Sequence, residues 1–258
     1  MGDTVVPALA CELHFGTSKA EGRRIMIYSI GEMANVYQQT FDQLDFIANN
    51  VVNSNTNGFK AVKLYYNAPD PKRGMAFIPE VVVDYSPGAI HRTDNPLDVA
   101  INGEGFFAIQ SKDGVTYTRQ GNFTIDKDGN FVTTDGAYVL GKSGSKIKLP
   151  DGKVNIGEKG DVTVDGNSVD TLKIVSFKNP QALTRVEGCL FADPGNAGLA
   201  EKDDPLVRQG HVELSNVQVV KEMADMIDLH RSVEFYQKVI QTMADQDRMA
   251  TSQIGRVA

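Results

Sequence analysis

A chain of 258 residues that is 41% hydrophobic and 23% charged has the composition of a folded globular protein, and it is long enough to bury a sizeable core in one domain or two. Its net charge of −7 excludes the basic face that a nucleic-acid binder needs to neutralise phosphates, and no apolar run approaches the roughly 20 residues that span a bilayer. Two cysteines, Cys11 and Cys189, are too few for a disulfide framework or a structural zinc site; they read as two unrelated thiols, with a single bridge as the alternative.

Residues 1–25 contain "VVPALAC", faintly similar to a lipoprotein cleavage site. No basic residue precedes it, Asp3 lies upstream, and the apolar stretch falls short of a signal h-region of about 7–15 residues. Residues 1–25 are therefore read as an irregular extension, with the organised protein starting near Met26.

Ser29 and Glu32 then have the spacing of a capping box, which predicts a helix start. Apolar residues recur at Ile30, Met33, Tyr37, Leu44, Ile47 and Val51 in steps of three and four, with Thr40 in the one polar slot, as in a heptad seam. The helix runs into "IANNVVNSNTNGFK", with five asparagines between Asn49 and Asn57. Asparagine amides compete for nearby backbone groups, so the helix is expected to end there, with Asn57–Gly58 permitting a sharp reversal.

From about 62 to 212 the period changes. Asn102–Gly103, Asp113–Gly114, Asp128–Gly129, Asp135–Gly136, Asp151–Gly152 and Asp165–Gly166 punctuate short runs such as "LDVAI", "GFFAI" and "DVTV". These pairs supply the positive φ angles of tight hairpins and predict an all-β meander or small barrel-like sheet. Beyond it, Ser215 with Gln218 makes a second capping box, and a second seam follows: Val219, Met226, Leu229, Val233, Tyr236, Ile240, Met243 and Ala250, interrupted by Glu222 and Asp247. The expected fold is α+β: residues 26–60 and 213–258 form long terminal helices paired as a coiled-coil stalk, and residues 61–212 form the central β domain.

Candidate chemistry is sparse. "GEGFFA" fits the dinucleotide pattern G-x-G-x-x-A, but a strand and not a helix should follow it. "DKDGN" at 126–130 begins like a calcium loop, yet its glycine is at the fourth position and no correctly placed glutamate follows, so a β-turn is expected. His14, His91, His211 and His230 have no metal-ligand spacing and no adjacent nucleophile. No enzyme, cofactor or metal site is expected.

Three separated stretches, "FDQLDFIANNVVNSNTNGFK", "PGAIHRTDNPLDVAINGEGFFAI" with "YTRQGNFTIDKDGNFVTTDGAYVLG", and "VELSNVQVVKEMADMIDLHRSVEFYQKVIQTMADQ", resemble the bacterial flagellar basal-body rod proteins, part of the wider group of rod and hook axial proteins. The likeness covers nearly everything from Met26 onward, while residues 1–25 depart from the family's pattern. "AYVLGKSGSKIKLP" and "VNIGEKGDVTVDG" are more similar to the proximal than to the distal rod subunits.

The resemblance implies a structural subunit that stacks helically with copies of itself and with other rod and hook proteins into a hollow shaft crossing the periplasm. It also implies export through the flagellar type III apparatus without a cleaved signal peptide, and no nucleic-acid or small-molecule partner. The assembly residues it points to are the seam positions Tyr37, Leu44, Ile47, Val51, Met226, Leu229, Val233, Tyr236, Ile240 and Met243. Asn49, Asn50, Asn57 and Gly58 join them at the helix end. Distal rod and hook-type subunits are the near alternatives. A soluble β-domain binding module closed by its end helices is the rival from another class.

Overall fold

The computed structural model describes residues 19–67, 78–112, 114–186, 188–202 and 204–254. The chain divides into two compact units. One holds, of the described residues, 19–40 and 231–254; the other is Phe41–His230. Residues 1–18, with Cys11 and His14, lie outside the described residues, as do the side chains of Ile30, Asp247 and Ala250.

Helix α1 spans Lys19–Val52 and helix α2 spans Val219–Ile254. Neither start coincides with its capping box. Ser29 lies ten residues inside α1, so residues 19–25 are helical where an irregular extension was expected. At α2 the first helical bond runs from Glu222 N–H to Gln218 O at 2.9 Å, whereas Ser215 Oγ accepts the Val217 N–H at 3.2 Å in a local turn. A short hydroxyl side chain satisfies whichever backbone donor lies nearest, and here that donor precedes the helix.

The end of α1 follows expectation. The Asn53 N–H and Nδ2 both donate to Asn49 O, at 3.1 and 2.9 Å, Ser54 Oγ donates to Val51 O at 2.7 Å, and Thr56 Oγ1 donates to Asn53 Oδ1 at 3.3 Å. Polar side chains thus take over carbonyls that the helix leaves without partners. Gly58 then turns the chain at φ +68°.

Between the helices the described residues are almost wholly β. Strands β1 (Val62–Asn67) and β2 (Ile78–Val83) form an antiparallel ribbon, Val62 opposite Val83. Strand β3 (Ile90–Arg92) pairs with His211–Glu213, and β4 (Val99–Ile101) with Val207–Gln209. The central sheet has nine strands, with β5 (Phe106–Ser111) and β6 (Gly114–Thr118) at its middle. It is not a simple meander, since Ile174–Phe177 crosses back to pair with β5. The Asp165–Gly166 turn, with φ +50° and +85°, joins Asp161–Val164 to Asn167–Thr171 as its sequence predicts.

The run "GFFAI" is buried on both faces because β5 separates two cores. Phe107 and Ile109 enter a cluster with Phe123, Phe131 and Val162, and Phe106 and Ala108 enter another with Val62, Tyr117, Phe177 and Phe191. Residues alternate faces along a strand, so a continuous apolar run is required when both faces are covered. Phe46 of α1 packs on the second cluster, which fixes the last turns of that helix to the β region.

Candidate functional site

Two buried polar joints secure the helix ends to the β region. In the first, Asn50 is 1% exposed and its amide is fully engaged. Oδ1 accepts the Val62 N–H at 2.9 Å, and Nδ2 donates to Val62 O at 2.8 Å and to Glu222 Oε2 at 3.2 Å. The side chain behaves as an extra strand residue beside the start of β1, while the Glu222 carboxylate of α2 closes the set.

In the second joint, Lys60, Glu213 and Arg119 are 0%, 1% and 2% exposed. Lys60 Nζ lies 2.6 Å from Glu213 Oε1 and also donates to Ser86 O at 2.6 Å. Oε1 further accepts the Gly88 N–H at 2.9 Å. Arg119 Nη1 approaches Glu213 Oε2 at 3.2 Å, a charge contact that lacks hydrogen-bond alignment, and Nη2 donates to Gly103 O. The guanidinium also stands over the Phe106 ring, 5.5 Å from its centroid.

Burial pushes the Lys60 and Arg119 pKa values down, and in both cases the neighbouring Glu213 opposes the shift. The set is closed off from solvent, its members being at most 2% exposed. Its three members lie far apart in the chain, so its effect is to hold the exit of α1, the end of β6 and the approach to α2 in one geometry. Asn216 adds to the same joint: Oδ1 accepts the Ala61 N–H at 2.8 Å, and Nδ2 donates to Asp84 O at 2.8 Å.

Of the predicted residues, Asn50 and Gly58 belong to these joints. Gly58 donates its N–H to Glu213 O at 2.7 Å, and a Cβ there would stand 2.5 Å from Arg119 C. Asn57 is half-buried, with its carbonyl 3.8 Å from the Cys189 sulfur. Asn49 is exposed. Every polar group of the Asn50 amide has a partner inside its own chain.

The described seam positions differ in exposure from their neighbours. On α2, Met226, Leu229, Tyr236, Ile240 and Met243 are half-buried and Val233 is buried, whereas Met223, Ile227 and Phe235 are exposed. On α1, Tyr37, Leu44, Ile47 and Val51 are half-buried. Within the first unit, Gln237 Nε2 donates to the Tyr37 hydroxyl at 3.0 Å. Within the second, Ile47 and Leu229 line a groove of about 380 Å³ along α1, β1 and α2. Thr40, the polar slot, is buried with Oγ1 donating to Val36 O at 2.8 Å.

The turn at 126–130 is occupied by its own chain. Asp126 Oδ1 accepts the N–H groups of Asp128 and Asn130 at 2.9 and 2.7 Å, and Oδ2 accepts Asn130 Nδ2 at 2.8 Å; these bonds, Asn130's first, hold the carboxyl below its usual range. "GEGFFA" leads into β5 rather than a helix. Among the described residues, no helix is long and apolar enough to cross a membrane.

Sequence reasoning missed Lys60, Arg119, Glu213, Asn216 and Glu222. Four of them sit in the quoted stretches "NGFK", "YTRQGNF" and "VELSNV", where a lone charge or amide among apolar residues was the available signal.

Comparison with known proteins adds two family models. Residues 100–164 match the D1 domain of flagellar hook proteins FlgE/F/G, and residues 208–253 match the C-terminal part of flagellar basal body rod FlgEFG proteins. The chain is 35% identical over 249 residues to the flagellar basal-body rod protein FlgG of Agrobacterium fabrum, covering 83% of this chain and 92% of that protein. It is 31% identical over 237 residues to FlgG of Bacillus subtilis, covering 78% and 89%. It is 30% identical over 227 residues to the rod protein FlgF of Caulobacter vibrioides, covering 83% and 93%.

Proposed function

Because the chain belongs to the flagellar basal-body rod protein family and is a structural subunit of the rod, we propose that it polymerises helically, with α1 and α2 pairing as a coiled coil in the shaft and the β region outside it. The observation that supports this reading is the burial pattern of α2, where Met226, Leu229, Val233, Tyr236, Ile240 and Met243 at heptad spacing are buried or half-buried while Val220, Met223, Ile227 and Phe235 are exposed. The buried joints supply the second requirement of a drive shaft, a fixed exit direction for both helices. A buried ion pair is weak evidence for added stability, and specifying one geometry is its better attested use.

On this reading the partners are other copies of the chain and neighbouring rod and hook subunits, and the subunit reaches the growing shaft through the flagellar type III export apparatus without a cleaved signal peptide. Its place is the proximal rod, crossing the periplasm, on the likeness of residues 137–150 and 154–166 to those subunits; distal rod is the alternative, since relatives of both names, FlgF and FlgG, match. The subunit has no catalytic role, in keeping with relatives that are rod proteins. Electron microscopy of basal bodies from a deletion strain tests the proposal. A missing or truncated rod, restored by the cloned chain, is expected, and an intact rod in the deletion strain overturns it.

A further inference from the structure

Two Asn–Gly pairs occur in the chain, Asn57–Gly58 and Asn102–Gly103. Asparagine is thermolabile, and it is most so before glycine, because no Cβ shields the next main-chain nitrogen or limits the rotation that brings it onto the side-chain carbonyl carbon. Ring closure needs a carboxamide held by no hydrogen bond, a following N–H that is equally free, and room for the glycine to turn. The two pairs differ in all of these.

Asn57–Gly58 is locked. The Gly58 N–H is committed to Glu213 O at 2.7 Å, and main-chain atoms of Arg119 and Gln120 stand 2.5 Å from where a Cβ would be. Asn102–Gly103 lies in the turn from β4 to β5, and both residues are half-buried, so the pair reaches solvent. Neither the Asn102 carboxamide nor the Gly103 N–H has a hydrogen-bond partner among the described residues. Gly103 has φ +107°, and nothing lies within 4 Å of its Cβ position. The Asp–Gly turns at 128–129 and 135–136 resemble the locked pair in this respect, since Gly129 N–H donates to Asp126 O at 3.1 Å and Gly136 N–H to Thr133 O at 2.9 Å.

The open pair is also tied to a buried joint. The two carbonyls that flank Asn102 both face the Arg119 guanidinium: Ile101 O accepts Nη1 at 3.4 Å, and Gly103 O accepts Nη2. The spacing of the Arg119 fork is thus matched to the length of main chain that contains Asn102.

We propose that Asn102 is a site of spontaneous deamidation whose isoaspartate product loosens the Lys60–Glu213–Arg119 joint. The Gly103 nitrogen attacks Asn102 Cγ and forms a new C–N bond; the bond from Cγ to Nδ2 breaks, and Nδ2 leaves as ammonia with the proton that Gly103 gives up. Solvent water then opens the succinimide. Addition at the side-chain carbonyl gives aspartate, and addition at the main-chain carbonyl gives isoaspartate. The net change is water consumed and ammonia released, with no oxidation or reduction. Isoaspartate routes the main chain through the Asn102 Cβ, so one extra carbon enters between the two carbonyls that hold Arg119. The fork can no longer meet both, and Arg119 Nε, already buried without a partner, offers no substitute.

The test uses the purified full chain, kept folded for weeks in warm, mildly alkaline buffer. Aliquots are labelled by protein isoaspartate methyltransferase and mapped by peptide. Because reaction at Asn57 must wait for local opening, label is expected to accumulate at Asn102 at least about tenfold faster than at Asn57, whereas both sites should react at similar rates in denaturant. Asn102→Gln, with a longer side chain that closes the ring poorly, should lose the label. Equal labelling of the two sites in the folded chain, or labelling of Asn102 only in denaturant, overturns the proposal. The second reading is exchange of the Gly58 amide, which reports on the joint through its bond to Glu213 O. The isoaspartate form, separated chromatographically, should exchange it at least about tenfold faster than the fresh chain. Asn102→Asp, with the same charge and no extra carbon, should exchange it as the fresh chain does. Unchanged exchange in the isoaspartate form, or equal acceleration in Asn102→Asp, overturns the link to the joint.

Discussion

Asn49 and Asn50 are adjacent in the chain and opposite in role. Asn50 is 1% exposed and gives both ends of its amide to Val62, so Asn50→Ala leaves a backbone N–H, a carbonyl and the Glu222 carboxylate short of partners in a buried site. Each orphaned buried group costs roughly 1–3 kcal/mol, and a loss of at least about 2 kcal/mol in denaturant unfolding is expected. Asn49→Ala should stay within about 0.5 kcal/mol of the wild type, as exposed positions do, while lowering rod yield. Equal stability losses for the two variants would remove the distinction. Gly58 is constrained twice over. Its φ of +68° is left-handed, and a Cβ would stand 2.5 Å from both Arg119 C and Gln120 N, which are backbone atoms that cannot step aside. The left-handed geometry alone costs about 1–3 kcal/mol for a non-glycine residue, so Gly58→Ala should destabilise by more than that in the same unfolding measurement.

At the scale of elements, Tyr66 of β1 donates to Asp42 Oδ2 of α1 at 3.0 Å and fastens the ribbon to the helix. Burial, then the hydrogen bond to Asp42, push its phenol up to about 12 from 10.0. The sign follows directly: the folded form holds the proton more tightly than the unfolded chain, so this stabilisation is complete below pH 10 and is lost as pH rises from 10 to about 12. Tyr66→Phe should flatten that part of the stability curve, and a wild-type and variant that decline in parallel across this window would show that the pin contributes nothing. The elements themselves were largely legible. Heptad spacing located the shielded face of α2, and Asp–Gly pairs located hairpins such as Asp165–Gly166, because both signals are local. Helix starts were not, since a Ser-x-x-Glu pattern inside a longer helix has nothing to cap. The Lys60–Glu213–Arg119 set was illegible for a different reason: its members are separated by dozens of residues, and only the pairing of β3 with His211–Glu213 and the exit of β6 bring them together.

For the whole molecule, the division into two units sets what a seam mutation does. Ile240 is half-buried in the unit of residues 19–40 and 231–254, whereas both apolar clusters of the β region lie in the other unit. Helices held by a single narrow apolar seam have little surplus stability, and most of what they have comes from packing neighbours. A carboxylate placed in such a seam, desolvated and unpaired once the helices associate, costs several kcal/mol. Ile240→Asp is therefore expected to leave the cooperative unfolding of the β unit unchanged, with the same midpoint and the same denaturant dependence, while abolishing rod assembly at matched export. Its double in the other unit, Phe131→Asp, enters a site that is 0% exposed and should unfold the β unit outright. Hydrogen exchange separates the two effects: Ile240→Asp should speed exchange only in the helical amides of its own unit, and Phe131→Asp throughout the strands. If Ile240→Asp chains swim normally at wild-type abundance, the seam is not an assembly surface and the helices serve only to close the fold.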